Sequence, residues 1–253
     1  MFKYNKYIFK KSQIKKPKLR LLISHHAGGS SSNYFNFSNF FPEDWDICFL
    51  DLPCRISDFS DTFIKNRFDL QEFIELYLKD FNDAPLALFG HSFGAHISFE
   101  IAHLLLSKNE NYPLWLGISA TLPPHLIKNE VTLPNYLKSN ELLIKWMKNI
   151  GGTPIEIFDA PELLELFLPV LKNDLTLFHN LSNNPRSLAK LKIPISIFSG
   201  KEDQKAPLIE MSNWKNYTDS NFIMNEYEGG HFYFQGKENI IVENIISNLN
   251  KLI

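Results

Sequence analysis

Short apolar runs alternate with amphipathic stretches along this chain, and that alternation constrains the fold more than any other feature. Residues 19–24, 47–50, 86–89, 114–119, 195–199 and 222–227 read as strands, with 7–9 as an early edge strand. Most are continuously apolar, which fits strands covered on both faces. Between them, Leu70, Phe73, Ile74, Tyr77, Leu78 and Phe81 recur at three- and four-residue intervals and predict a helix over 70–81. Residues 93–106, 207–217 and 240–252 follow the same rhythm. Strand–helix alternation implies right-handed crossovers and an α/β fold, with a mostly parallel sheet between two helical layers.

Residues 121–190 break the alternation. They hold no good strand and two helical patterns, 141–150 and 161–171. Asp159 is the expected N-cap of the second, with Pro161 in its first turn and Glu162 three residues after the cap. Pro169 is expected to kink or end it. A long insertion between two sheet strands is a candidate lid. We therefore expect a single domain over residues 1–253 with a helical lid insertion at about 121–190. Its apolar faces, Leu142, Leu143, Trp146 and Met147 on one helix and Leu163, Leu164, Phe167 and Leu168 on the next, either pack on the sheet or line a chamber. Gly151-Gly152 would be the hinge between them.

The chemistry is concentrated at Gly90-His91-Ser92-Phe93-Gly94, a GxSxG motif placed between an apolar strand and an apolar helix. A sharp strand-to-helix turn lifts a serine hydroxyl out at the sheet's C-terminal edge, and small residues must flank it. Serine is a weak nucleophile and needs a base. Of 8 histidines, His91 adjoins the serine but should point away. His96 and His103 belong to the following helix, His125 and His179 to the insertion, and His25 and His26 follow the first long strand. His231, in Glu228-Gly229-Gly230-His231-Phe232 after the last strand, fits the Ser…acid…His order of α/β-hydrolases. Asp203, in the turn after 195–199, is the expected acid that orients the imidazole, with Glu202 as the fallback. Two backbone N–H groups should bind an oxyanion, that of Phe93 and that of Ala27 in His25-His26-Ala27-Gly28-Gly29. The adjacent pair His25-His26 lacks a carboxylate or cysteine to complete a metal site, so neither metal nor cofactor is expected.

Composition narrows the class further. The chain of 253 residues is 44% hydrophobic and 21% charged, which excludes a disordered or disulfide-stapled chain. Its net charge of −2 gives no field that demands nucleic acid. No apolar run reaches the roughly 18 residues a membrane helix needs, and no secretory signal is evident. With Cys48 and Cys54 as the 2 cysteines, a cytoplasmic protein with reduced thiols is expected. Residues 1–20 carry 8 of the 26 basic residues and no acid, leaving 18 against 28, or −10, for the remainder. That strip is either a solvated arm with lysine-protected edge strand or a docking site for an acidic partner.

HHAGGSSSNYF, DLPCR, GHSFGA, the Gly151-Gly152-Thr153-Pro154 segment, PELLELFLPVLKND and GGHFYF occur in the order seen in type II thioesterases, the stand-alone editing enzymes of nonribosomal peptide and polyketide synthases. The chain resembles them from about residue 18 to 249. The resemblance implies an α/β-hydrolase fold and hydrolysis of acyl or aminoacyl groups stalled on the phosphopantetheine arm of carrier proteins. It implies Ser92 as nucleophile, Asp203 as acid, His231 as base, Ala27 and Phe93 as oxyanion donors, and a mobile lid. The expected partner is an acyl or peptidyl carrier protein, with no nucleic acid and no membrane, and the enzyme itself is expected as a monomer. Because carrier proteins of this type are acidic near their pantetheine serine, Lys128, Lys138, Arg186 and Lys190 are candidate docking cations. Three departures stand out. His25 replaces the usual proline, Cys54 replaces the glycine of an LPGR segment, and an arginine usual a few residues later is absent. The other readings are a carboxylesterase or coenzyme A thioesterase, and a non-catalytic module on a hydrolase scaffold.

Overall fold

The computed structural model describes residues 2–55, 61–79, 81, 83–108, 112–127, 134–183 and 190–253. Strands β1 (Phe2–Lys3), β2 (Ile8–Lys10), β3 (Leu19–Ser24), β4 (Trp45–Leu50), β5 (Leu86–His91), β6 (Trp115–Ser119), β7 (Ile195–Gly200) and β8 (Phe222–Tyr227) form an 8-stranded sheet. Its order is β1-β2-β4-β3-β5-β6-β7-β8. The first two strands pair antiparallel at one edge and the rest are parallel. β1 and the 3-10 helix over Ser31–Phe40 carry no apolar periodicity and were not foreseen.

The alternation of side chains along each strand builds two cores. Leu22, Leu88, Leu116 and Ile197 face one way, under helices α1 (Arg67–Tyr77) and α2 (Phe93–Lys108). Leu21, Ile23, Phe89 and Phe198 face the other, under the Ser31–Phe40 turn and α7, the last helix (Glu238–Leu249). Strands β3 to β7 are buried on both faces along their length and are mostly apolar, whereas edge strand β8 alternates between half-buried and exposed. Asn66 caps α1 by accepting from the N–H groups of Phe68 and Asp69.

Between β6 and β7 lie α3 (Asn140–Ile150), α4 (Ile155–Asp159) and α5 (Pro161–Asn183). Leu137, in the turn before α3, joins Leu143 and Met147 of α3 and Leu168, Leu171 and Leu175 of α5 in a third core. Two local expectations are corrected here. Asp159 ends α4; the carbonyl that accepts the first α5 bond, from Leu164 N–H, belongs to Ala160. Nor does Pro169 end α5, which continues to Asn183. Proline in a helix interior costs about 3 kcal/mol. Burial of Leu168, Val170, Leu171, Leu175, Leu177 and Leu181 offsets it, at about 1.5–3 kcal/mol for each large side chain. The helix expected over 207–217 is α6 (Leu208–Met211), a single turn, continued as a 3-10 stretch over Ser212–Tyr217.

Half of the cations of the basic N-terminal segment are engaged, while Lys3, Lys15, Lys16 and Lys18 are exposed. Lys10 and Arg20 share the buried Asp46, Arg20 also pairs with Asp83, and Lys6 pairs with Asp61. Lys11 donates to the Ser38 carbonyl. These contacts tie the antiparallel edge to the body of the sheet. Among the lid cations, Lys138 is exposed and Lys190 pairs with Asp219, while Lys128 and Arg186 lie outside the described residues.

Candidate active site

Ser92 sits between β5 and α2 with φ of +56°, in the left-handed region that a non-glycine residue enters only when its surroundings force it. The two motif glycines explain how. A Cβ on Gly90 would lie 2.1 Å from the Gly94 carbonyl oxygen, and one on Gly94 would lie 2.2 Å from Ser24 O and 2.4 Å from His25 O. Helix α2 therefore starts against its own elbow and against the end of β3. The same contact brings the His25–Gly29 loop to the N-terminus of α2.

A second pair of loops delivers the partners. A Cβ on Gly200 would clash with the carbonyls of Gly229 and Gly230 at 2.4 and 2.3 Å, so the turns after β7 and β8 lie flush. Glu202 N–H donates to Gly229 O and Lys201 N–H to Tyr227 O, which zips them together. His231 Nδ1 lies 2.8 Å from Asp203 Oδ2, and its Nε2 lies 3.0 Å from Ser92 Oγ. Nδ1–H donates to the carboxylate, which fixes the tautomer and leaves Nε2 to accept from the serine hydroxyl. Asp203 also accepts from the N–H groups of Lys205 and Ala206. Burial alone would raise its carboxyl; His231 and these two donors outweigh that and hold it below the usual carboxylate range. Glu202 points to solvent.

The other histidines make different contacts. His91 is fully buried beneath the site, with Nδ1 on Ser119 Oγ and its ring 5.1 Å from that of His231. His96 faces the Leu122 carbonyl, His125 the Tyr217 hydroxyl and His179 the Tyr136 hydroxyl. His25 accepts from Leu52 N–H at Nε2 and donates from Nδ1 to His26 O, so its ring braces the loop. His26 Nδ1 meets Tyr34. Burial pushes His25 and His91 well below the usual imidazole range, His26 to about 3 and His96 to about 4. Cys54, at the position of the expected glycine, does adopt a left-handed φ of +64°.

Ala27 and Phe93 border the same cavity as Ser92 and His231. Phe93 is the first residue of α2, where a backbone N–H has no partner within the helix. The cavity holds about 910 Å³ and runs under α3–α5, where Trp146, Met147, Leu163 and Phe167 line it. Leu143 and Leu168 turn instead into the third core and Leu142 outward, so each predicted apolar face is divided between chamber and packing. Gly152 rests on Phe232: a Cβ there would lie 2.2 Å from the ring.

One set of contacts was not anticipated. Arg55 Nη2 binds both oxygens of Asp174 on α5 at 2.9 and 2.7 Å, and Asp174 Oδ2 accepts Gly28 N–H at 2.8 Å. The two residues belong to quoted motifs, but nothing in the sequence pairs positions so far apart.

A hydroxyl, an imidazole and a carboxylate joined in series, the first two lining an apolar cavity, can carry out acyl transfer. Residues 19–253 match the family described as "Thioesterase domain". The chain is 26% identical over 238 residues to the gramicidin S biosynthesis protein GrsT of Aneurinibacillus migulanus, covering 93% of this chain and 91% of that one. It is 30% identical over 232 residues to thioesterase PikA5 of Streptomyces venezuelae, covering 91% and 81%. The solved structure of the type II thioesterase BorB, from the borrelidin biosynthetic cluster, superposes with a TM-score of 0.86 at 25% identity, covering 98% of this chain and 100% of that one. With a family match spanning nearly the whole sequence and a hydrolase fold around the serine elbow, the chain belongs to the thioesterase family.

Proposed function

We propose that this thioesterase releases acyl or aminoacyl groups from the phosphopantetheine arm of carrier proteins in nonribosomal peptide or polyketide synthesis. Ser92 is the nucleophile, His231 the base and Asp203 its orienting acid. The serine attacks the thioester carbonyl while His231 takes its proton. The N–H groups of Ala27 and Phe93 receive the oxyanion. Collapse of the tetrahedral adduct breaks the carbon–sulfur bond, and His231 returns the proton to the departing thiol. Water, deprotonated by His231, then attacks the acyl-serine, releasing the acid and restoring the serine.

The observation that carries this reading is the unbroken series from Ser92 Oγ through His231 to Asp203, at 3.0 and 2.8 Å, opening on the cavity. The kinship with GrsT, PikA5 and BorB supports the carrier-bound substrate. Helices α3 and α4 with the start of α5, up to Pro169, act as a lid on a single catalytic domain, with a hinge between α3 and α4 at Gly151-Gly152, whose φ angles of +77° and +80° suit a swivel. The enzyme works as a monomer in the cytoplasm, where the free thiols of Cys48 and Cys54 stay reduced.

The test compares hydrolysis of an acylated carrier protein with that of the same acyl group on coenzyme A. Preference for the carrier-bound form supports editing. Equal or greater kcat/KM on coenzyme A would move the assignment to an acyl-coenzyme A thioesterase, and hydrolysis of oxygen esters alone to a carboxylesterase.

A further inference from the structure

The Ala27 donor sits in a loop with two consecutive glycines, which by itself has no stiffness. What holds it comes from elsewhere in the chain. The peptide between His26 and Ala27 is planar and trans, so Ala27 N–H points opposite to His26 C=O. That carbonyl accepts from Gly29 N–H at 3.0 Å and lies 2.8 Å from His25 Nδ1. The next peptide is pinned by Gly28 N–H donating to Asp174 Oδ2, and Gly29 C=O accepts Arg55 Nε at 2.9 Å. Arg55 and Asp174 bind each other as well, and Arg55 Nη1 reaches Pro53 O.

Helix α5 is pressed against this loop along one face. A Cβ on Gly28 would lie 2.7 Å from Phe167 Cζ and 3.1 Å from Leu171 Cδ1. Phe167, Leu171 and Asp174 follow four- and three-residue spacing, so a single helical stripe both packs the loop and hydrogen-bonds it. Asp174 is 0% and Arg55 4% exposed. A buried ion pair is a poor device for stability alone, because desolvation consumes much of its attraction and apolar residues of similar volume often serve as well. Apolar residues cannot supply directed bonds to Gly28 N–H and Gly29 C=O.

We propose that Asp174 and Arg55 are positioning residues for the oxyanion hole: together they fix the Gly28–Gly29 backbone so that Ala27 N–H faces the reacting carbonyl, and they make α5 part of that hole. The proposal rests on Ala27 being an oxyanion donor.

The test pairs two variants on a short acyl-pantetheine thioester, with rates expressed per active site titrated by a fluorophosphonate. Arg55→Met/Asp174→Leu removes both charges together, so neither is left buried alone. Its expected result is a loss of about 10²-fold in kcat, the scale of one oxyanion donor, with KM changed less than about threefold. Affinity for an alkyl boronic acid, which places an oxygen in the hole, should fall by the same factor as kcat/KM. Ala27→Pro deletes the donor itself and should lose at least as much. A double variant with kcat near the parent's, while Ala27→Pro is impaired, overturns the positioning role and leaves the donor assignment standing. An active Ala27→Pro overturns the donor assignment and the proposal with it. A double variant with lowered Tm but unchanged kcat per titrated site would make the pair purely structural and overturn the proposal.

Discussion

Adding one methyl group at Gly94 should disable the enzyme without touching a reacting atom. Alanine there would put its Cβ 2.2 Å from Ser24 O and 2.4 Å from His25 O, whereas real Cβ contacts stay above 3.0 Å. The two backbones must separate by about 0.8 Å, and neither is free to yield. On one side β3 is hydrogen-bonded between β4 and β5; on the other, α2 is buried over nearly its whole length. The displacement falls where the two candidate oxyanion loops meet, between Ala27 and Phe93. A misplacement of about 1 Å at reacting groups costs about 10²-fold, so kcat should fall by 10- to 100-fold, roughly. Overpacking of this kind costs about 1–3 kcal/mol, or about 5 °C in Tm for a chain of this size. Gly230→Ala is the matched control. That glycine adjoins His231, but a Cβ there meets nothing within 4 Å. Turnover of an acyl-pantetheine thioester and thermal melting of both variants give the answer. Parental kcat in Gly94→Ala would refute the argument that this close approach sets the geometry of the hole.

Three further outcomes are expected. Ser92→Ala and His231→Ala should lower kcat by several decades with modest change in Tm, and Asp203→Asn should also be severe; a more damaging Glu202→Gln would reassign the acid. Acid should destabilise the protein steeply, since His25, His26, His91 and His96 are held neutral when folded and take protons only when unfolded. Their stabilising effect is complete above about pH 6.5 and is lost as pH falls toward their folded values, while burial-raised Asp51 and Asp174 oppose it, leaving about two to four protons or ~3–5 kcal/mol per pH unit. Urea unfolding at pH 7.5, 6.5 and 5.5 measures that slope, and a flat profile would contradict it. Hydrogen exchange should divide α5 in two. Beyond Pro169 the helix is tied to the body by Asn173 to Ile64 O, Asn180 to Lys65 O and Arg67 to Leu181 O, so it should match the central strands, while residues 161–168 exchange faster; uniform protection through α3–α5 would count against a mobile lid.

The candidate triad was legible in the sequence because each member is tied to a local signal. Ser92 has flanking glycines and a strand-to-helix boundary, Asp203 follows an apolar run, and His231 follows a Gly-Gly pair. Parallel topology does the remainder, since every strand from β3 to β8 ends on the same edge and loops separated by more than a hundred residues meet there. Strands β2 to β8 lie within two residues of their expected bounds, and for β3 to β7 the reason is continuous burial, which leaves largely apolar runs; exposed β1 left none.

Helix α5 shows where local information stops. Its sequence holds a proline expected to kink or end a helix, and the cores packed along it carry it on to Asn183. The same helix brings Asp174 to Arg55 across 119 positions, beneath a loop whose glycine has room for no side chain. Residue type and spacing determined which groups could react and on which edge of the sheet they would gather. Tertiary structure alone decided which backbone groups are clamped and how the lid divides between chamber and core, because these depend on contacts between segments that share no local pattern.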